Sequence, residues 1–128
     1  MKTVFTNGRI ILADRILDGY SVIVEDGVIS DVTRGNTAAD KVVDLGGRYL
    51  APGFIDMHTH GAGGHDFMDG TEEAIKGACM THLSHGTTSI VPTTLTCLNG
   101  ELFNFFDVYR KVKADWHEGP NLLGIHLE

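Results

Sequence analysis

At 128 residues, with 42% hydrophobic and 21% charged content, the chain is long enough for one ordinary domain and has the composition of a soluble globular protein. A formal charge of -7 excludes nonspecific nucleic-acid binding, which needs clustered Lys and Arg, and no run approaches the ~18 apolar residues of a membrane span. In chain order, the first fifty residues read as strands and turns. "TVFTNGRIIL" places an Asn7-Gly8 turn between apolar halves. "SVIVEDGVISDVT" carries Asp26-Gly27 between β-branched runs, a hairpin signal because the tight turn needs positive φ at both central positions. A third run, "KVVDLGGRYLAPG", ends in glycines and Pro52-Gly53, which is read as a boundary.

Beyond it the period changes. "FIDMH" is a short strand, followed by Thr71 as a helix N-cap with Glu72 and Glu73 in the first turn. Ile75, Ala78, Cys79, His82 and Leu83 recur at helical spacing, and Gly86 closes that helix. "TTSIVPT" is the next strand. Asn99 and Glu101 open a second helix with Leu102, Phe105, Phe106, Tyr109 and Val112 on one face, while Arg110, Lys111 and Lys113 read as its solvated side. "NLLGIHLE" returns to strand. The order β, α, β, α, β with short connections predicts parallel strands. Three strands are too few for a closed barrel, so the chain is expected to be the front part of a larger protein. Cys79 and Cys97 form no CxxC pair, and the N-terminus lacks the apolar core of a signal peptide; a reduced, cytoplasmic setting is expected.

The histidines pose the chemical question. In a strand, residues two apart share a side, so His58 and His60 project together at the end of "FIDMHTH", just before Gly61, Gly63 and Gly64. Three readings stand side by side: a metal pair with glycines leaving room over the ion, a His-rich turn, and a strand end whose imidazoles are hydrogen-bonded. The same period puts His126 and Glu128 on one face of "GIHLE", with Glu128 at the same rim as His60 and His126 deeper, in a supporting or core role. His65 reads as an exposed loop residue, His82 and His85 as helix residues, with His85 at the helix C-terminus, His117 as part of a linker, and Cys97 as an inert buried thiol. No serine has a His and Asp at recognisable spacing, and there is no phosphate loop.

"LAPGFIDMHTHG" resembles the first barrel strand of the amidohydrolase superfamily, whose members join a small β-sandwich to a metal-bearing (β/α)8 TIM barrel. "APGFIDMHTHGAGGHDFMD", "HGTTSIVPTTLT" and "GIHLE" are similar, within it, to the N-acetylglucosamine-6-phosphate deacetylase family. The resemblance covers the whole chain and about the first third of such an enzyme. It implies an α/β fold: a β-sandwich segment over 1–52, then the first part of the barrel over 53–128, cut after its third strand.

By the same resemblance, His58, His60 and Glu128 match metal ligands, for one or two divalent ions, zinc or iron. The implied reaction is metal-dependent hydrolysis of the acetamide of N-acetylglucosamine 6-phosphate to glucosamine 6-phosphate and acetate. The family's acid-base aspartate and two further histidine ligands lie beyond residue 128, so the isolated chain is expected to be inactive and to bind metal weakly. A phosphorylated amino sugar is the implied partner, with no nucleic acid or membrane, and a homodimer the implied assembly. The runner-up readings are another amidohydrolase, either a cyclic-amide hydrolase or an aminohydrolase, and a noncatalytic structural fragment.

Overall fold

The structure, a computed structural model, describes residues 1–35 and 37–128. It divides into two compact units, Met1–Pro52 and Gly53–Glu128. The first is all β: β1 (Lys2–Thr6), β2 (Arg9–Ile11), β3 (Ile16–Asp18), β4 (Ser21–Glu25), β5 (Val28–Thr33), β6 (Lys41–Asp44) and β7 (Tyr49–Leu50). They form two sheets, ordered β5-β4-β1-β6 and β3-β2-β7. The Asp26-Gly27 hairpin is present, with Glu25 opposite Val28 and φ of 49° and 83° at the turn.

The Asn7-Gly8 turn has a different consequence from a hairpin: β1 and β2 lie in separate sheets, so it carries the chain from one to the other. Leu45 to Arg48 runs beside it as a second corner, since β6 pairs parallel with β1 and β7 parallel with β2. Backbone bonds from Leu45 N to Thr6 O (2.9 Å) and Gly47 N to Asn7 O (2.7 Å) lock the two corners together. Gly8 is required there because a Cβ would run into the Leu45 side chain and the Arg48 carbonyl. Phe5, Ile10, Val22, Val24, Val32 and Leu50, drawn from both sheets, line an apolar cleft of about 160 Å³.

The second unit is mixed α/β. It runs β8 (Phe54–Thr59), β9 (Gly61–Ala62), β10 (His65–Asp66), a single 3-10 turn (Phe67–Asp69), α1 (Glu72–Ser84), β11 (Thr87–Pro92), α2 (Asn99–Asp115) and β12 (Asn121–Leu122). β11 is the central strand, parallel to both β8 and β12. Thr71 caps α1, its hydroxyl accepting from Ala74 N at 3.1 Å, and His85 and Gly86 (φ 97°) end it. Glu101 reaches back to Leu98 N at 3.0 Å to start α2. The core joins Phe67, Ile75, Ala78 and Cys79 to Ile90 of β11, Phe105, Tyr109 and Val112 of α2, and Leu122.

"NLLGIHLE" is not one continuous strand. Pairing stops at Leu122 and resumes only as a single parallel bridge between Thr93 and His126. Pro92 on the facing strand accounts for the gap, since it has no N–H to donate.

Candidate metal centre

The site is built where β8 ends. Asp56 stands opposite Ile90 and Thr59 opposite Pro92, so three steps along β8 match two along β11, a bulge centred on Met57 and His58. Asp56 folds back on it, Oδ1 accepting from His58 N at 3.1 Å. The bulge turns Asp56 and Thr59 to the same, half-buried side as α1 while His58 stays exposed. There His82 takes up Thr59: Nε2 lies 3.1 Å from Thr59 Oγ1, and Nδ1 3.7 Å from Asp56 Oδ2. The Thr59 hydroxyl also lies 3.3 Å from Gly61 O, so it has two polar neighbours.

His58 and His60 therefore project together, their rings edge to face with centroids 5.2 Å apart. Glu128, delivered by the segment after β12, places Oε2 3.1 Å from His58 Nε2 and 3.2 Å from His60 Nε2. One ligand atom from each of the three lies within 4.8 Å of the others. All three sequence-singled residues are thus brought together, and the side chains of His58 and Glu128 are about half exposed, open to a ligand.

The donor set suits a divalent ion. Two imidazole nitrogens and a carboxylate oxygen are zinc-type ligands, and donors held tetrahedrally at about 2.0–2.1 Å lie roughly 3.3 Å apart. The 3.1 and 3.2 Å separations are close to that spacing. An ion-free arrangement has each Nε2–H donating to the one carboxylate oxygen. His60 Nδ1 is buried with no hydrogen-bond partner among the described residues, so the orienting acceptor common behind ligand histidines is absent there.

His126 is exposed rather than deep, its ring edge-on to His58 with centroids 4.7 Å apart. His65 is half-buried, not a free loop residue: in the β9–β10 hairpin its ring lies against Gly77 of α1, where a Cβ would meet Cδ2 and Nε2 at 2.5 Å. The glycines before it serve that hairpin rather than space over an ion. Gly63, at φ 63°, packs on Thr81, whose hydroxyl a Cβ would strike. His85 keeps its terminal place, Nδ1 2.9 Å from Thr81 O. Cys97 is half-buried and lines a cleft of about 200 Å³ with Thr94, Leu127 and Glu128. Cys79 is the inert thiol, buried in the core and pushed up to about 12 by that burial.

Sequence reading missed the residues behind the ligands: Asp56, Thr59, His82, Thr93 and Thr94. A signal existed for one of them, since His82 lies on the apolar face of its helix among Ile75, Cys79 and Leu83. No local pattern pointed to the others.

Comparison with known proteins gives the family. The Amidohydrolase family matches residues 49–115, and the NagA composite domain matches residues 4–50. N-acetylglucosamine-6-phosphate deacetylase of Homo sapiens is 37% identical over 131 residues, covering 97% of this chain and 32% of its own length. The Mus musculus enzyme of that name is 37% identical over 117 residues, covering 89% and 26%. The crystal structure of N-acetylglucosamine-6-phosphate deacetylase from Pasteurella multocida superposes with a TM-score of 0.86 at 28% identity, over 99% of this chain and 34% of that one. The chain thus spans about a third of the length of the relatives it matches.

Proposed function

The chain belongs to the amidohydrolase family, and we propose that it is the N-terminal part of a metal-dependent hydrolase that deacetylates N-acetylglucosamine 6-phosphate. The observation that carries this is the convergence of His58, His60 and Glu128 within 4.8 Å at the rim of parallel strands. In this reading β8, β11 and β12 are the first three strands of a (β/α)8 barrel, supported by their parallel order and by the helices between them. Met1–Pro52 is the β-sandwich segment, supported by its two sheets and the apolar cleft they line.

His58 and His60 would hold zinc or iron through Nε2, and Glu128 through Oε2. Such an ion supplies Lewis acidity, activating water as a nucleophile at neutral pH and polarising the amide carbonyl. The chain's own residues have the tasks of placement. Glu128 sets the two imidazoles at a common distance, the β8 bulge aims His58 outward, and His82 steadies Thr59 between them. Protonation of the leaving amine needs an acid, which this reading assigns to an aspartate outside these 128 residues. A homodimer, with a phosphorylated amino sugar as substrate, is the assembly the family likeness supports.

A chimera in which this chain replaces the matched third of the human relative tests the reading. It should release acetate from N-acetylglucosamine 6-phosphate, and lose that activity with His58→Ala or Glu128→Ala. The 128-residue chain alone, supplied with zinc, should release none. A folded, metal-loaded chimera without acetate release rejects the assignment.

A further inference from the structure

We propose that Thr93 and Thr94, consecutive residues just past the end of β11, are positioning residues: their hydroxyls clasp the two segments that carry His58, His60 and Glu128. This extends the metal-site reading above and rests on it for its functional meaning. Both threonines are buried, at 0% and 1% exposure, and a buried hydroxyl without a partner is costly. Each accepts from one backbone N–H, on opposite sides, and Thr93 Oγ1 also donates to Val91 O at 3.4 Å. Thr93 Oγ1 accepts from Thr59 N at 3.1 Å, and Thr94 Oγ1 accepts from Glu128 N at 3.2 Å.

The need for side-chain acceptors follows from the backbone. Thr59 N lies between the two histidines just after the bulge, where the ladder to β11 is out of step. Thr93 returns its own N–H to Thr59 O at 2.9 Å, so backbone and hydroxyl together hold the residue between the imidazoles. On the other flank, regular pairing has stopped at Leu122. His126 N to Pro92 O and Thr94 N to His126 O, both 3.0 Å, are followed by the Thr94 hydroxyl as the last tether before the Glu128 side chain. Because adjacent residues of one strand end grip both neighbours, the two hydroxyl groups, together with the backbone bonds beside them, fix the spacing between the imidazoles and the carboxylate.

The test uses the 128-residue chain with single substitutions to valine, which keeps the volume and accepts nothing, and to serine, which keeps the acceptor. Amide exchange followed by NMR should accelerate about tenfold or more at Thr59 in Thr93→Val and at Glu128 in Thr94→Val, with the serine variants near wild type. In the chimera with the human relative, zinc chloride titration should show each valine variant weakened by about tenfold, the range for residues that orient ligands. Val112→Ala, which loosens the core remote from the ligands, should leave the affinity of the folded chain unchanged and separates positioning from general stability. Unchanged exchange at both amides overturns the proposal, as do serine variants that behave like valine. Should the chimera with wild-type threonines bind no zinc, the metal reading falls, while the two exchange rates still decide whether the clasp exists.

Discussion

His58 Nε2 and Glu128 Oε2 stand 3.1 Å apart across 70 residues of sequence, and His60 Nε2 meets the same oxygen at 3.2 Å. As ion pairs these contacts are half exposed and contribute about 0–1 kcal/mol to stability. As the proposed ligand set they carry the metal affinity. Glu128→Ala should therefore move the urea midpoint by the equivalent of less than about 1 kcal/mol, while zinc affinity, read by calorimetry, drops at least tenfold. A stability loss without any change in metal affinity would mark the carboxylate as structural.

The His82 contact predicts the reverse pattern. Its side chain is 19% exposed and serves Thr59, not an ion. His82→Leu should cost about 1 kcal/mol, the net value of one hydrogen bond. His82→Gln, which can still reach Oγ1 with an amide N–H, should recover most of it. Chemical denaturation of the three proteins side by side checks this, and equal losses in both variants would remove Thr59 as the reason.

The convergence of His58, His60 and Glu128 was legible in the sequence and their supports were not, for a physical reason. His58 and His60 lie two apart at the end of β8, a local property, and Glu128 reaches the same rim although its segment has left regular strand after Leu122. Thr93 and Thr94 act on backbone groups 34 residues away in each direction, and nothing in "VPTTLT" states which N–H a hydroxyl will meet. The β8 bulge, visible only through pairing with β11, is likewise what sends Thr59 toward His82. In the first unit, Asp26-Gly27 was readable because a two-residue turn closes on its own neighbours. Asn7-Gly8 looked similar but joins separate sheets, since its partners are Asp44 to Arg48 rather than the strands flanking it.

That corner carries an acid-sensitive group. Asp44 is held below its ordinary 3.8, first by the Gly46 N–H and then by the Asn7 side-chain amide, both at 2.8 Å from Oδ1. A depressed folded value means the contribution is complete above the unfolded pKa and is lost as pH falls through the folded one. Wild type should thus lose stability relative to Asp44→Asn on acidification below about pH 4, followed by β-sheet circular dichroism. Parallel acid profiles for the two proteins would show that the corner does not depend on the charge.

At the alkaline end the core should respond through Cys79 and Tyr109. Burial raises the thiol from 9.0 to about 12, and burial together with Cys79 raises the phenol from 10.0 to about 12. Below about pH 8 both groups are neutral whether the chain is folded or not, so stability is unaffected. Between about pH 9 and 12 the unfolded chain releases protons that the folded chain keeps. Each group then lowers stability by about 1.4 kcal/mol per pH unit above its unfolded pKa. Cys79→Ala removes one of the two groups. At pH 7 the variant should be less stable, by about 1–2 kcal/mol for the small cavity beside Phe105 and Ile75, yet its stability should decline more shallowly from pH 9 to 10, where only the thiol has begun to titrate in the unfolded state. Urea denaturation at pH 7, 9 and 10 measures both quantities, and an unchanged slope in Cys79→Ala would show that the thiol is not the group that opens the core to base.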